Sequence, residues 1–447
     1  MKTTAVLLAA GKGTRMRSKT PKVLHPLGGV PMLRHSLDAL AGLTGQTPVV
    51  VVGHEAEAVQ SAVGNSARCV VQAEQLGTGH AVMQVESTVK GESDLVLVAQ
   101  ADMPLIRRET YEALIETQEA NTGPFSMLTV IAEDPRGFGR IVRNAQGHVQ
   151  AIVEDHEADE EQKKIRELNV GGYCFNAEWL WAALKRIPLS PKGEYYLTDL
   201  VAIANQDGQP VLARLMDDPQ ETIGINNRVH LAEAEAILRA RINRGWMEAG
   251  VTLLDPATTY IESTVQIGAD TVIQPNTILR GSTTIGADCL IGPNTVIENS
   301  TVGNACKVIA SVVESATLEN RVDIGPYAHL RKGAHLADGV HMGNFGEVKN
   351  SYLAPGVKMG HFSYIGDAQI GRNVNIGAGT ITANYDGENK HKTEIEEDVF
   401  IGSDTMLVAP LHIGKGARTG AGSVVTKDVP AGTVVVGVPA RAIRKLK

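Results

Sequence analysis

The chain has 447 residues, room for two or three domains, and its formal net charge of −8 excludes a general nucleic-acid binder. Apolar residues make up 43% but aromatics only 4%, and there are 46 glycines, which suits an interior of small aliphatics in repeated positions. Cys69, Cys174, Cys289 and Cys306 lack metal-ligand spacing, so reduced thiols and a cytoplasmic location are expected. No apolar run is long enough for membrane insertion, and the start at Met1 breaks at Gly11, too early for a secretory signal.

Ala5 to Ala10 reads as a buried strand that ends at Gly11 and Gly13. Five cations follow (Lys12, Arg15, Arg17, Lys19, Lys22) with no acid among them. Glycines after a strand let backbone N–H groups approach an oxyanion, and the cations neutralise it. This predicts a nucleoside triphosphate loop. It is not a Walker A loop, which needs Gly-Lys-Ser/Thr. It is not a dinucleotide fingerprint, because Met16 stands where the third glycine belongs. Gly11-x-Gly13-Thr14-Arg15-Met16 with Pro21-Lys22-Val23-Leu24 resembles the signature of sugar-1-phosphate nucleotidyltransferases.

Strand-like and helix-like stretches then alternate. Pro48–Val52, Arg68–Val71 and Asp94–Val98 read as strands, His54–Val63 and Gly79–Val89 as helices. The alternation predicts an α/β doubly wound, parallel sheet with ligands beyond the carboxyl ends of its strands. Gln72 to His80, with an amide, glycines and a hydroxyl, is suited to reading a base edge. Asp102 follows a strand and is placed to hold Mg²⁺ against phosphates. Gly137 to Ile141, Val153-Glu154, Asn169 to Tyr173 and Gly193 to Asp199 continue an ordered polar set.

From Asn226 the pattern turns helical, with Leu231, Ala234, Leu238 and Ile242 at helical spacing. Residues 227–250 read as a helical arm between domain 1–226 and domain 251–447. From Ile261 the period becomes six: Ile267, Ile273, Leu279, Ile285 and Ile291, then Leu318 to Leu336 and Ile395 to Ile413. A small or β-branched residue recurs between them (Thr271, Thr277, Thr283, Cys289, Thr295). These are the hexapeptide repeats of a parallel β-helix, three hexads to a triangular coil. The register breaks at Ala383 to Lys392, a polar insert expected to project. Arg331, Lys349, His361, Tyr364, Asn375, Asn384, Tyr385 and Ser403 gather around the slipped hexads.

Taken together, nearly the whole chain resembles the bacterial family of bifunctional N-acetylglucosamine-1-phosphate uridyltransferase/glucosamine-1-phosphate acetyltransferases. The resemblance implies a left-handed β-helix and a homotrimer with acetyl-CoA between subunits. In the first half it puts Leu8, Ala9, Ala10, Gly11 and Lys22 on the phosphates of UTP, and Gln72, Gly77 and Thr78 on uracil. Asp102 and Asn226 are the implied Mg²⁺ ligands. Gly139, Glu154 and Asn169 are the implied sugar contacts, with Arg15 and Lys22 stabilising charge. In the second half Arg331 and Lys349 take the phosphate of glucosamine 1-phosphate, His361 is the base, and Tyr364 and Asn375 orient the sugar. Ala378, Asn384, Tyr385, Ser403 and Ala421 line the acetyl-CoA groove, Asn384 also facing the oxyanion. The product is UDP-N-acetylglucosamine, a precursor for peptidoglycan and lipopolysaccharide.

The chain departs from the family pattern at Gln100-Ala101, where a Cβ is expected beside the nucleotide, and at Val170. Gly437 to Arg441 also differs, so no coenzyme-binding Arg is carried over there. Two other readings are a monofunctional nucleotidyltransferase with a structural β-helix, and a non-enzymatic assembly subunit. Retention of Lys22, Asp102 and Asn226, and the constellation around His361, speaks against both.

Overall fold

The computed structural model describes residues 1–445, so the last two residues of the expected second domain lie outside the described residues. Two compact units emerge, Met1–Leu238 and Arg239–Lys447. No helix among the described residues is long and apolar enough to cross a membrane.

The first unit is built on one sheet. Its strands are β1 (Thr3–Leu8), β4 (Val49–Val52), β5 (Arg68–Val71), β6 (Leu95–Gln100), β7 (Phe125–Ile131), β10 (Glu167–Asn176) and β11 (Leu212–Leu215). Between them come a short hairpin, β2 (Pro26–Leu27) with β3 (Val30–Pro31), and a second hairpin, β8 (Arg140–Arg143) with β9 (Val149–Val153). The order across the sheet is β11-β7-β10-β6-β1-β4-β5. β6, β1, β4 and β5 run parallel, as the alternation predicts.

Beyond β6 the expected parallel course is interrupted at β10, while β11 runs parallel to β7. β10 lies antiparallel between β6 and β7, with a bulge between Asn169 and Tyr173, and β8 pairs with β10. The β8–β9 hairpin stands where a crossover helix would and does not carry the chain back, so β10 re-enters beside the end of β7 and runs antiparallel to it.

Every residue of β4 is buried, because helices cover both faces of the sheet. One face holds Ala5, Leu7, Val50 and Leu97 under α1 (Met32–Leu40). The other holds Val6, Val49, Val51 and Val98 under α3 (Thr78–Met83), α6 (Ala177–Leu184) and α7 (Leu200–Gln206). The helix expected over Gly79–Val89 is two pieces, α3 and α4 (Glu86–Val89), with α2 (Ala56–Val63) before them and α5 (Arg108–Ala120) after.

Helix α8 (Arg228–Glu248) joins the units in sequence. Leu231, Ala234, Ile237 and Leu238 pack into the first unit's core, and Ile242 and Trp246 pack against the second's. Buried Asn243 donates to the Pro256 and Thr259 carbonyls, 2.9 and 3.0 Å away, and so closes the base of the second unit.

The second unit is a left-handed parallel β-helix. Its three walls are sheets of twelve, ten and nine strands. Ile273, Ile291 and Val308 stack in one wall, Leu279, Ile297 and Val313 in the next, and Ile285, Val302 and Leu318 in the third. All are buried. The small residues between the aliphatics sit at the corners: Thr271 donates to the Gly286 carbonyl at 2.8 Å and accepts from Cys289 N at 3.0 Å. Turn positions such as Asn276, Asp288 and Asn294 take left-handed φ of 59°, 59° and 53°. Asn and Asp tolerate that conformation better than other side chains.

Stacked residues in neighbouring coils stand 16 to 20 apart in sequence, except at the insert, where the separation is 25. The chain closes with an antiparallel hairpin, Thr433–Gly437 with Ala440–Lys445, whose turn holds the divergent Val438-Pro439.

Fully buried Ile291 sits mid-column, so I291A leaves a cavity its neighbours in adjacent coils cannot fill. The expected cost is about 2–5 kcal/mol, read as a lower urea midpoint for the second unit's transition. An unchanged midpoint would refute the stacked column as its core.

Candidate functional site

The carboxyl ends of β1 and β6 open into a cavity of about 630 Å³. Leu8, Ala9, Ala10, Gly11, Arg15, Lys22, Gln72, Gly77, Thr78, Asp102 and Asn226 all line it. A second compartment of about 320 Å³ adjoins it and is lined by Gly139, Glu154 and Asn169. Leu8, Gly77, Thr78, Asp102 and Asn226 border both, so the two form one cleft.

Charge converges at the junction. The Lys22 ammonium lies 2.6 Å from Asp102 Oδ2 and 3.3 Å from Asn226 Oδ1. Arg15 donates to the same Asn226 oxygen at 2.8 Å. Gly13 makes this approach possible, because it has a left-handed φ of 59° and a Cβ there would strike Lys22 Cβ. Two hard oxygens thus face one cation position. Such a donor set suits Mg²⁺, which takes one or two protein oxygens and completes its shell with phosphates and water. No group of three or more His, Cys, Asp or Glu among the described residues could hold a metal unaided.

The amide expected to read a base is fixed beforehand. Gln72 Nε2 donates to the Gly77 carbonyl at 3.2 Å and lies 3.0 Å from His80 Nδ1. Thr78 accepts from Leu197 N at 3.1 Å, which ties the start of α3 to the segment before α7. In the second compartment buried Asn169 and the Tyr173 hydroxyl bond each other at 2.8 Å. Burial pushes the Glu154 carboxyl above its usual range, against the opposing pull of the Thr198 hydroxyl at 3.2 Å and of His156.

The expectation about Ala101 is overturned. Its side chain is fully buried in the core beneath the sheet and lines neither compartment. Gln100 at the end of β6 and Asp102 in the turn that follows both line the cleft, while that turn, closed by Met103 N donating to the Gln100 carbonyl at 3.2 Å, leaves Ala101 against the core. Val170 is core-packed as well as bordering the second compartment. Gln75 and Glu194 in the first compartment, and Tyr173, Tyr196 and Thr198 in the second, join the lining without an assigned role from sequence. The string from Gly193 to Asp199 was the available signal for most of them.

In the second unit the expected residues gather along two edges of the ten-stranded wall. At one edge His361, Ala378, Ser403 and Ala421 form a straight column, since Gly379 N, Asp404 N and Gly422 N donate to Phe362, Ala378 and Ser403 in turn. Asn375, stacked between Lys358 and Phe400, leads into that edge. At the other edge stand Arg331, Lys349 and Asn384, with Tyr385 beginning the insert. Tyr364, on the strand Ser363–Gly366 between the edges, folds its hydroxyl over Gly366 toward the Asn384 amide, in space that a Cβ would fill. Arg331 is held by Glu347 at 2.9 Å, and Asn384 by the Asp367 carboxylate.

The raised pKa of Glu154 has a measurable consequence. A carboxyl whose folded-state pKa exceeds its unfolded value favours folding only while protonated. That contribution is present below the unfolded pKa, about 4.3, and is lost as pH rises through the folded value. E154Q should therefore gain thermal stability over the parent across an interval of rising pH that begins at about 4.3. A melting-temperature difference that shrinks over this interval would rule the burial effect out.

Comparison with known proteins agrees with this architecture. Residues 5–172 match the MobA-like NTP transferase domain family. Residues 264–299 match the bacterial transferase hexapeptide family, and 392–427 the hexapeptide repeat of succinyl-transferase. The bifunctional protein GlmU of Heliobacterium modesticaldum is 51% identical over 436 residues, covering 97% of this chain and 95% of the relative. Its counterpart in Streptococcus equi subsp. zooepidemicus is 45% identical across 100% of this chain and 97% of the relative. That of Geobacillus sp. is 46% identical over 95% and 93%. The chain belongs to the family of bifunctional GlmU proteins.

Proposed function

We propose that the chain carries out two consecutive transfers that make UDP-N-acetylglucosamine. The second unit acetylates glucosamine 1-phosphate with acetyl-CoA, and the first transfers UMP from UTP to N-acetylglucosamine 1-phosphate. The observation that carries this reading is that both half-sites stand in one polypeptide of the bifunctional family. One is the Lys22–Asp102–Asn226 junction and the other the His361 column, with Arg331 and Lys349 at the opposite edge of the same wall. A purely structural coil has no use for the second, which disfavours a monofunctional nucleotidyltransferase.

In the first cleft a phosphate oxygen of the sugar attacks the α-phosphorus of UTP. The bond to the bridging oxygen breaks and pyrophosphate leaves. Gln72, Gly77 and Thr78 hold the base, while Gly139, Glu154 and Asn169 hold the sugar in line. Lys22 and Arg15 neutralise the charge that gathers on the phosphoryl oxygens. Asp102 and Asn226 would hold Mg²⁺, which, when bound, polarises the phosphates.

In the second site the sugar amine attacks the thioester carbonyl of acetyl-CoA. His361 takes the amine proton, the C–S bond breaks and coenzyme A departs. Arg331 and Lys349 bind the sugar phosphate, and Asn384 steadies the oxyanion. Ala378, Ser403 and Ala421, with Tyr385, form the coenzyme wall. We further infer a homotrimer, supported by exposed Tyr327, Phe345 and Phe362 beside the His361 edge, an apolar strip suited to burial between copies. A cytoplasmic setting fits four unpaired cysteines.

Crossed variants test the reading. D102N should abolish Mg²⁺-dependent pyrophosphate release and leave acetylation intact. H361A should lower acetyl transfer by about 10²–10⁴ and leave uridyl transfer intact. Acetyl transfer is assayed with glucosamine 1-phosphate and acetyl-CoA, and uridyl transfer separately with N-acetylglucosamine 1-phosphate, UTP and Mg²⁺. Loss of both activities in either variant, or of neither, would overturn the assignment of the two sites.

A further inference from the structure

Gln72 lines the first compartment, yet it is only 3% exposed, so little more than its amide tip meets the cleft. The amino group of that amide is committed twice. Nε2 donates to the Gly77 carbonyl at 3.2 Å and stands 3.0 Å from His80 Nδ1. The Gln72 oxygen Oε1 accepts from no described residue and is not sealed in the core. The amide therefore turns an acceptor, not a donor, to the cleft. Gly77 lines the same compartment, and its backbone N–H donates to no described residue.

The orientation of that amide is tied to the proton that His80 carries. A carbonyl oxygen takes only a donor, so the Gly77 carbonyl keeps the Gln72 amino group toward it. The same amino group faces Nδ1, so Nδ1 is the bare, accepting nitrogen and Nε2 bears the proton. The Gln84 side-chain amide stands 3.1 Å from Nε2. Gln84 is half-buried and free to turn its oxygen to that proton, and the His80 carbonyl it would leave already accepts from Gln84 N at 3.3 Å. Gln72 is enclosed, and turning its amide would set oxygen against oxygen at the Gly77 carbonyl. The imidazole is held in place as well. It stacks on Tyr195 with centroids 6.3 Å apart. Tyr195 brackets the start of α3, its N–H donating to the Leu76 carbonyl and its carbonyl accepting from Gly79 N, both at 2.8 Å. His80 itself lines neither compartment.

We propose that His80 is a positioning residue for base selection: from behind the wall of the cleft, its bare Nδ1 holds the Gln72 amide with the oxygen toward the base. An acceptor next to a free N–H complements the N3–H and O4 of uracil. Cytosine presents the reverse pair, an accepting N3 and a donating N4, and would set like groups against like. The proposal rests on the reading of the first compartment as the place where the base of UTP is held.

The test is uridyl transfer by the full-length chain with N-acetylglucosamine 1-phosphate and Mg²⁺, UTP being titrated with and without CTP as competitor. H80F keeps a ring against Tyr195 and removes the acceptor, and H80Q supplies an amide oxygen in its place. One hydrogen bond corresponds to about 2- to 10-fold in affinity. H80F should lower the ratio of the CTP inhibition constant to the KM for UTP by about that factor and leave the KM for the sugar phosphate unchanged. H80Q should recover most of the ratio, and Q72L should lose it. If Q72L loses discrimination while H80F matches the parent, His80 does not orient the amide and the reading of the base site survives. If H80F weakens UTP and CTP alike, His80 serves only the fold and the proposal fails. If Q72L and H80F both keep the parental ratio, Gln72 does not read the base, and the reading of that site fails as well.

Discussion

A parallel coil admits no extra residue in its wall. Strand residues of the inner coils are paired above and below, and outside the insert each inward aliphatic rests on neighbours 16 to 20 positions away. A residue added within a strand would turn every following side chain to the wrong face. Surplus chain therefore has to leave at a corner, and the separation of 25 at the insert shows where it leaves. The register that stabilises the second unit also fixes where its projecting loop emerges, next to Arg331 and Lys349.

The first unit solves its geometry with a different constraint. Parallel strands β1 and β6 end side by side, in the register Leu8 to Gln100. This brings the glycine loop after one and Asp102 after the other to the same edge. Lys22 and Asp102 are far apart in sequence, but the sheet makes them neighbours at 2.6 Å. A cation held there is balanced by a carboxylate before any phosphate arrives, which limits the cost of placing it in a partly enclosed cleft.

How much of this was legible depended on the reach of the interaction that fixed each feature. The hexads were readable because the period of six is written in Ile267, Ile273 and their successors, and burial follows from that period. The nucleotide loop was readable because its glycines and cations are contiguous. The antiparallel course of β10 was not, since a mixed sheet and a parallel one demand similar apolar runs. Ala101 was misplaced because a motif position says nothing of the face it points to; the turn that follows β6 decides that.

Both units place a cation against an acid of their own: Lys22 on Asp102, and Arg331 on Glu347. The two pairs differ in setting. Arg331 and Glu347 are well exposed, and exposed ion pairs contribute little to stability, so the guanidinium can turn to a ligand at small cost. Lys22 and Asp102 are more enclosed, and removing one partner there leaves a desolvated charge without its counterion. The enclosed pair needs an incoming species that satisfies both groups, an anion for Lys22 and a cation for Asp102. A nucleotide phosphate with its divalent ion brings both at once. The exposed pair needs only an anion. The contrast in burial therefore sets different electrostatic demands on what enters each unit's site.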